Sequence, residues 1–258
     1  MGEAVRMTAV DGVLEVVLDR PKANAIDRAT SQAMNAAWQR LRDDPELKVG
    51  ILTGAGERFF SAGWDLKAAA AGEGMEGDWG EGGFGGLEHP VDLLKPVIAV
   101  ANGMAVGGGF EVLLGADLVI CEEHAAFALM EVQHGILAES AAVRLPRRIP
   151  RAIAMELMLT GRWMDAAEAE RWGLVNRVVP TGEGLAVAHE LARGLADGAQ
   201  LPLHAIKDTV ERTGHLPEAE AMRVREELDS VRRVKASEDQ EEGARAFAEG
   251  RAPVWKGR

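Results

Sequence analysis

Two glycine-led segments and one later glutamate hold the residue types from which a reaction could be assembled. The first runs Phe59-Phe60-Ser61-Ala62-Gly63-Trp64-Asp65-Leu66-Lys67. The second runs from Ala101-Asn102-Gly103 to Gly107-Gly108-Gly109-Phe110-Glu111. Each places small residues where a backbone N–H can approach a ligand closely. The glycine triplet before Phe110-Glu111-Val112-Leu113-Leu114 reads as a tight turn opening a helix, whose first N–H groups have no intrahelical acceptor. Two such donors, one from each segment, can hold a thioester carbonyl oxygen and bind it more tightly as it becomes an enolate. Losing one of them typically costs ~3 kcal/mol of transition-state stabilisation. Glu111 stands one helical turn beyond the glycines, and Glu131 follows in Phe127–Ile136, which reads as strand then loop. Two carboxylates flanking one water serve as base and acid when their surroundings separate their pKa values. Taken singly, the triplet is a turn that needs positive φ and a helical glutamate is merely solvated. Together they point to proton transfer beside an enolate.

The elements that must position these segments alternate in type. Val13–Leu18, Gly50–Thr53, Val97–Val100 and Leu118–Cys121 read as short apolar strands, with a helix over Ala29–Asp43. Strands alternating with helices predict βαβ units around a mainly parallel sheet, with ligand-facing loops at the carboxyl ends of the strands. Between Gly72 and Gly86 eight glycines and several acids predict a mobile lid or an unstructured insertion, interrupted by Trp79 and Phe84. From Pro150 the pattern is helical: 152–160, 165–172, 185–196, 203–213, 217–231 and 238–249. Asp165 and Ser237 have capping-box spacing to Glu168 and Gln240. The chain thus divides into a core over 1–196 and a C-terminal helical region over 197–258.

Bulk properties narrow the class. At 258 residues the chain can bury one sizeable core, and a net charge of −12 excludes a nucleic-acid surface. It carries neither a secretion signal nor a long apolar run, and its single cysteine, Cys121, forms no intrachain disulfide. A soluble cytoplasmic protein with no membrane partner is expected. The Glu131-x-x-His134 spacing, the Cys121/His124 pair and Gly54-Ala55-Gly56 each lack the second half of a metal or dinucleotide motif, so no metal site is expected.

The motifs R-P-K-A-N, F-S-A-G-W-D-L-K, N-G-x-A-x-G-G-G-x-E and F-x-x-x-E resemble, in order and wording, the crotonase (enoyl-CoA hydratase/isomerase) superfamily. The likeness continues through Thr160-Gly161-Arg162 and Ala167–Asn176 to the terminal P-V-W-K-G-R, and so covers essentially the whole chain. The resemblance implies a crotonase-type α/β spiral with a C-terminal helical lobe that packs into homotrimers or dimers of trimers. It implies Ala62 and Gly108 as oxyanion-hole amides, and Glu111 and Glu131 as the acid/base pair. It places Lys22, Ala23, Asp65 and Leu66 along the coenzyme A site, with coenzyme A carried as the substrate thioester and no separate cofactor. Both glutamates favour addition or elimination of water over isomerisation. An enoyl-CoA isomerase and a non-catalytic acyl-CoA-binding protein are the alternatives.

The chain departs from the family at Gly135–Ala142, where G-I-L-A-E-S-A-A replaces a proline- and glycine-containing loop that helps seat water, and introduces Glu139 as a further carboxylate. Trp64, Trp79 and Phe84, beside Glu73, Glu76, Asp78 and Glu81, are candidates to cage a quaternary ammonium. Such a cage is worth ~2 kcal/mol when desolvated. The simpler reading is that these aromatics pin a loop onto an acyl pocket.

Overall fold

The computed structural model describes residues 3–74, 76–89 and 92–258. Its strands are β1 (Val5–Val10), β2 (Val13–Leu18), β3 (Val49–Gly54), β4 (Phe59–Ser61), β5 (Val97–Ala101), β6 (Met104–Val106), β7 (Leu118–Glu122), β8 (Ala126–Ala128), β9 (Met164–Asp165) and β10 (Arg177–Val179). Its helices are α1 (Arg28–Asp43), α2 (Leu66–Ala70), α3 (Gly108–Leu114), α4 (Glu131–His134), α5 (Glu139–Arg148) and α6 (Arg151–Thr160). They continue with α7 (Ala166–Arg171), α8 (Gly184–Ala196), α9 (Gln200–Thr213), α10 (Glu218–Glu227), α11 (Asp229–Lys235) and α12 (Glu238–Glu249).

The larger sheet has the order β1-β2-β3-β5-β7-β10 and the smaller β4-β6-β8-β9. Strand numbers rise monotonically in both, so the chain winds as a spiral whose turns each add one strand to each sheet. β1 and β2 form an antiparallel hairpin, and β2, β3, β5, β7 and β10 are parallel. The hairpin turns at Asp11-Gly12, both with positive φ, the Asp-Gly signal for such a turn. Strands of a parallel sheet are covered on both faces, which is why they read as unbroken apolar runs. On one face Val49, Ile51, Ile98, Val100 and Ile120 meet Ala188 and Ala192 of α8. On the other, Leu52, Ala99, Ala101 and Val119 meet Met34, Trp38 and Leu41 of α1 and Phe110 of α3.

The glycine-rich segment is fastened to α1. Ser31, Asn35 and Trp38 lie on one face of that helix and are buried. The Asn35 amide donates to the carbonyls of Trp79 and Gly83 at 2.8 and 3.0 Å and accepts from the Gly82 N–H at 2.7 Å. Trp38 Nε1 donates to the Gly85 carbonyl at 3.0 Å, and Ser31 Oγ accepts from the Gly85 N–H at 3.0 Å. The lid or loose insertion expected from composition is instead a strap. Its glycines let the backbone lie against α1 where side chains would collide with Asn35.

In the C-terminal region Asp165 and Ser237 cap α7 and α12 through Glu168 N–H and Gln240 N–H. The single helix expected over 217–231 is broken at Leu228, whose extended backbone separates α10 from α11. Among the described residues no helix is long and apolar enough to cross a membrane.

Candidate active site

Three consecutive turns of the spiral end their small-sheet strand at one place. β4 runs into Ala62-Gly63-Trp64, β6 into Gly107-Gly108, and β8 through Leu129-Met130 into Glu131. The functional segments therefore converge because they follow neighbouring parallel strands. Gly63, at φ +76°, is where two of them touch: a Cβ there would stand 2.6 Å from the Gly108 nitrogen and 2.8 Å from the Val106 oxygen.

That contact corrects one expected donor. The Ala62 N–H is bonded to the Ala23 carbonyl at 2.9 Å and cannot serve an oxyanion. Two residues on, the Trp64 N–H makes no such bond among the described residues, nor does the N–H of Gly108 at the start of α3. Those of Trp64 and Gly108 are thus among the donors available at the junction.

Glu111 lies in the first turn of α3, and its Oε1 accepts the Ala141 N–H at 2.9 Å. Burial pushes its carboxyl up to about 7. The Ala141 N–H pulls the other way, and the neighbouring charges of Glu131 and Glu88 add to the rise. Glu131 opens the short helix α4, where the sequence pattern predicted loop, and is 7% exposed. Burial raises its carboxyl as well. Its Oε1 faces Gly107, where a Cβ would stand 3.0 Å away, and its Oε2 is buried with no hydrogen-bond partner among the described residues.

Both glutamates line a cavity of about 260 Å³ together with Gly108, Trp64, Trp79 and Phe84. Phe84 lies against Gly108 and meets Trp79 edge-on at 5.3 Å between ring centroids. The acids expected around these aromatics are mostly elsewhere. Glu73 accepts the Arg28 N–H, Glu81 pairs with Arg42 on α1, Glu76 is exposed, and only Asp78 reaches the cavity. Arg28 itself sits over the Trp79 ring at 5.6 Å. Glu88, which no motif flagged, takes their place beside Glu139. Glu88 rather than Glu139 is the further carboxylate that bears on Glu111. Of the altered segment 135–142, residues 139–142 form the first turn of α5, which presents the Ala141 N–H to Glu111.

The expected coenzyme A residues lie on two loops held side by side by the Ile26–Trp64 bridge, next to the cavity rather than in its lining. Lys22 and Leu66 are exposed, and the Ala23 carbonyl is bonded to the Ala62 N–H. Asp65 caps α2 and pairs with Arg20 at 2.6 Å, while Arg20 also holds Asp27 at 2.7 Å. Arg20 is therefore already engaged by two carboxylates.

The raised Glu111 has a thermodynamic signature. Its pKa in the folded chain lies above the ordinary 4.5, so its contribution to stability is complete below that pH and is lost as pH rises through about 7. Glu111→Gln is accordingly expected to be more stable than the parent by about 3 kcal/mol at pH 8.5, with the gain shrinking toward pH 5. Urea titrations at the two pH values read this directly. An equal gain at both would show that Glu111 is not held protonated by the fold.

Comparison with known proteins fits this geometry. The sequence profile of the Enoyl-CoA hydratase/isomerase family matches residues 8–258. The chain is 52% identical over 261 residues to carnitinyl-CoA dehydratases of Salmonella typhi and Proteus mirabilis, with all of each chain covered. It superposes on the crystal structure of enoyl-CoA hydratase from Mycobacterium tuberculosis H37Rv with a TM-score of 0.91, at 38% identity over 99% of both chains. A probable enoyl-CoA hydratase/isomerase from Mycobacterium abscessus gives 0.90, at 40% identity over the full length of both.

Proposed function

Since the chain belongs to the enoyl-CoA hydratase/isomerase family, we propose that it adds or removes water across the α,β bond of an acyl-CoA thioester, in the manner of a carnitinyl-CoA dehydratase. The observation that carries this reading is the meeting of two carboxyls whose pKa values burial raises, Glu111 and Glu131, at the cavity where two N–H groups unengaged among the described residues converge.

In the hydration direction the thioester oxygen sits between the N–H groups of Trp64 and Gly108. One glutamate takes a proton from water as its oxygen bonds to Cβ. The π electrons move toward the thioester as an enolate, and the other glutamate delivers a proton to Cα. Dehydration reverses each step. An N–H pair that binds the oxyanion more tightly than the carbonyl favours the transition state. Lys22, Ala23 and the backbone of Asp65 and Leu66 border the path for the coenzyme A portion. Coenzyme A enters as part of the substrate, and the reaction as written requires no further cofactor.

The acyl group we assign carries a quaternary ammonium. The described cavity lining holds five carboxylates with Trp64, Trp79 and Phe84, and no lysine or arginine. The test is mass spectrometry of products from crotonyl-CoA and crotonobetainyl-CoA, each incubated in ¹⁸O-labelled water. Label at Cβ is expected, with crotonobetainyl-CoA preferred. Absence of label from both products would refute a hydro-lyase. Trp64→Leu is expected to weaken turnover of the cationic substrate about tenfold more than that of crotonyl-CoA. Equal losses would remove the cation from the assignment.

The C-terminal region 197–258 we assign to assembly into trimers. Its helices α9 to α11 pack chiefly on one another, and the single chain leaves Phe247 90% exposed with Ile206 and Val254 also bare. Sedimentation should return at least three times the 27.6 kDa chain mass, and a monomer would refute it.

A further inference from the structure

A second cavity, of about 640 Å³, shares His89 with the first and lies between α9 and the C-terminal ends of α3 and α5. In a chain of net charge −12 its lining is cationic: Arg144, Arg147, Arg148 and Lys207 against Asp117 and Glu211. Lys207 already pairs with Asp117 at 2.8 Å, and Asp117 also accepts the Val97 N–H. The three arginines have no such counterpart. Arg144 donates to the carbonyls of Leu87 and Glu88 at 2.7 and 2.9 Å, and Arg148 Nη2 donates to that of Ala116 at 2.8 Å. No carboxylate of the described residues is within ion-pairing distance of any of the three, and Arg148 Nη1 is buried without a partner.

A basic last turn complements the dipole of α5, which accounts for the exposed Arg147. It does not account for Arg144, which lies a turn earlier, or for the burial of Arg148. Burial lowers both guanidinium pKa values, against the pull of Glu88 and Glu211 on the first and of Asp117 on the second. Burying a cation without a counter-charge is costly, and an anionic guest removes that cost. The wall beyond the arginines is apolar, formed by Leu87, Leu93 and Leu114.

We propose that this cavity binds a small organic anion, its carboxylate or phosphate head on Arg144 and Arg148 and its hydrocarbon body against Leu87, Leu93 and Leu114. The site is separate from the reacting carboxylates and does not depend on the reaction assigned above. Helix α5 connects the two, since it carries both these arginines and the Ala141 N–H that holds Glu111.

The test is calorimetric titration of the full-length protein with octanoate and, separately, butyl phosphate, at fixed ionic strength so that screening is constant. Saturable binding of at least one probe is expected, weakened about tenfold by Arg148→Gln and about threefold by Arg147→Gln. Binding of one probe alone identifies the head group. Arg147 is exposed, so its variant keeps the test decisive if Arg148→Gln does not fold. Lack of saturable binding by either probe, or affinities unchanged in the variants that fold, would overturn the proposal.

Discussion

Glu131→Gln is expected to lower the turnover of crotonyl-CoA hydration by about 10³-fold, with folding intact. Glutamine fills the same buried volume beside Gly107 but can neither take up nor release a proton. Because the fold already disfavours the charged carboxylate, the substitution should not destabilise the chain. The measurement is steady-state hydration followed by loss of enoyl absorbance, alongside a urea titration. Turnover within tenfold of the parent would take Glu131 out of the proton path. A large loss of stability would mean that the residue serves the fold rather than the reaction.

Gly63→Ala should be nearly as severe for a different reason. At φ +76° an alanine is strained by about 1–3 kcal/mol, and its methyl group would press on the Gly108 nitrogen from 2.6 Å. Moving one of two oxyanion donors costs about 10²-fold in turnover. Gly56 supplies the control. It has nearly the same dihedral, φ +79°, but nothing lies within 4 Å of an added Cβ. Gly56→Ala should carry the strain and leave turnover untouched. Equal kinetic losses in the two variants would show that strain, not the donor cradle, is responsible.

Four of the six strands of the large sheet, β2, β3, β5 and β7, were legible because they are buried on both faces and so read as continuous apolar runs, while β1 and β10, largely exposed or half-buried, were not read. Of the small sheet only the strand that opens Phe127–Ile136 was read. Phe59–Ser61, Met104–Val106 and Ala126–Ala128 are three residues each, too short to display any period. Two of the three segments of the candidate site were nevertheless visible as motifs, because close backbone approach demands glycine, and the third showed as a carboxylate, Glu131, after a strand-like stretch. Which amide stays free was not visible: Ala62 loses its N–H to Ala23, a partner fixed only when distant loops pair. Glu88 lay in no motif, and its place by Glu111 comes from the strap folding back. The strap itself left a trace that composition obscured. Ser31, Asn35 and Trp38 at helical spacing are polar or N–H-bearing groups on a face that otherwise packs inward, and such groups need partners.

The monotonic strand order has a consequence for synthesis. No strand is inserted between two that precede it in the chain, so each turn leaving the ribosome finds one open edge on the turn before it and docks there without threading or rearrangement. The strap can close over α1 early, since both come from the first third of the chain. Glu131 and the Ala141 N–H arrive together, half-way along. A nascent chain therefore lays down the strap side of its cavity before Glu131 joins Glu111 there.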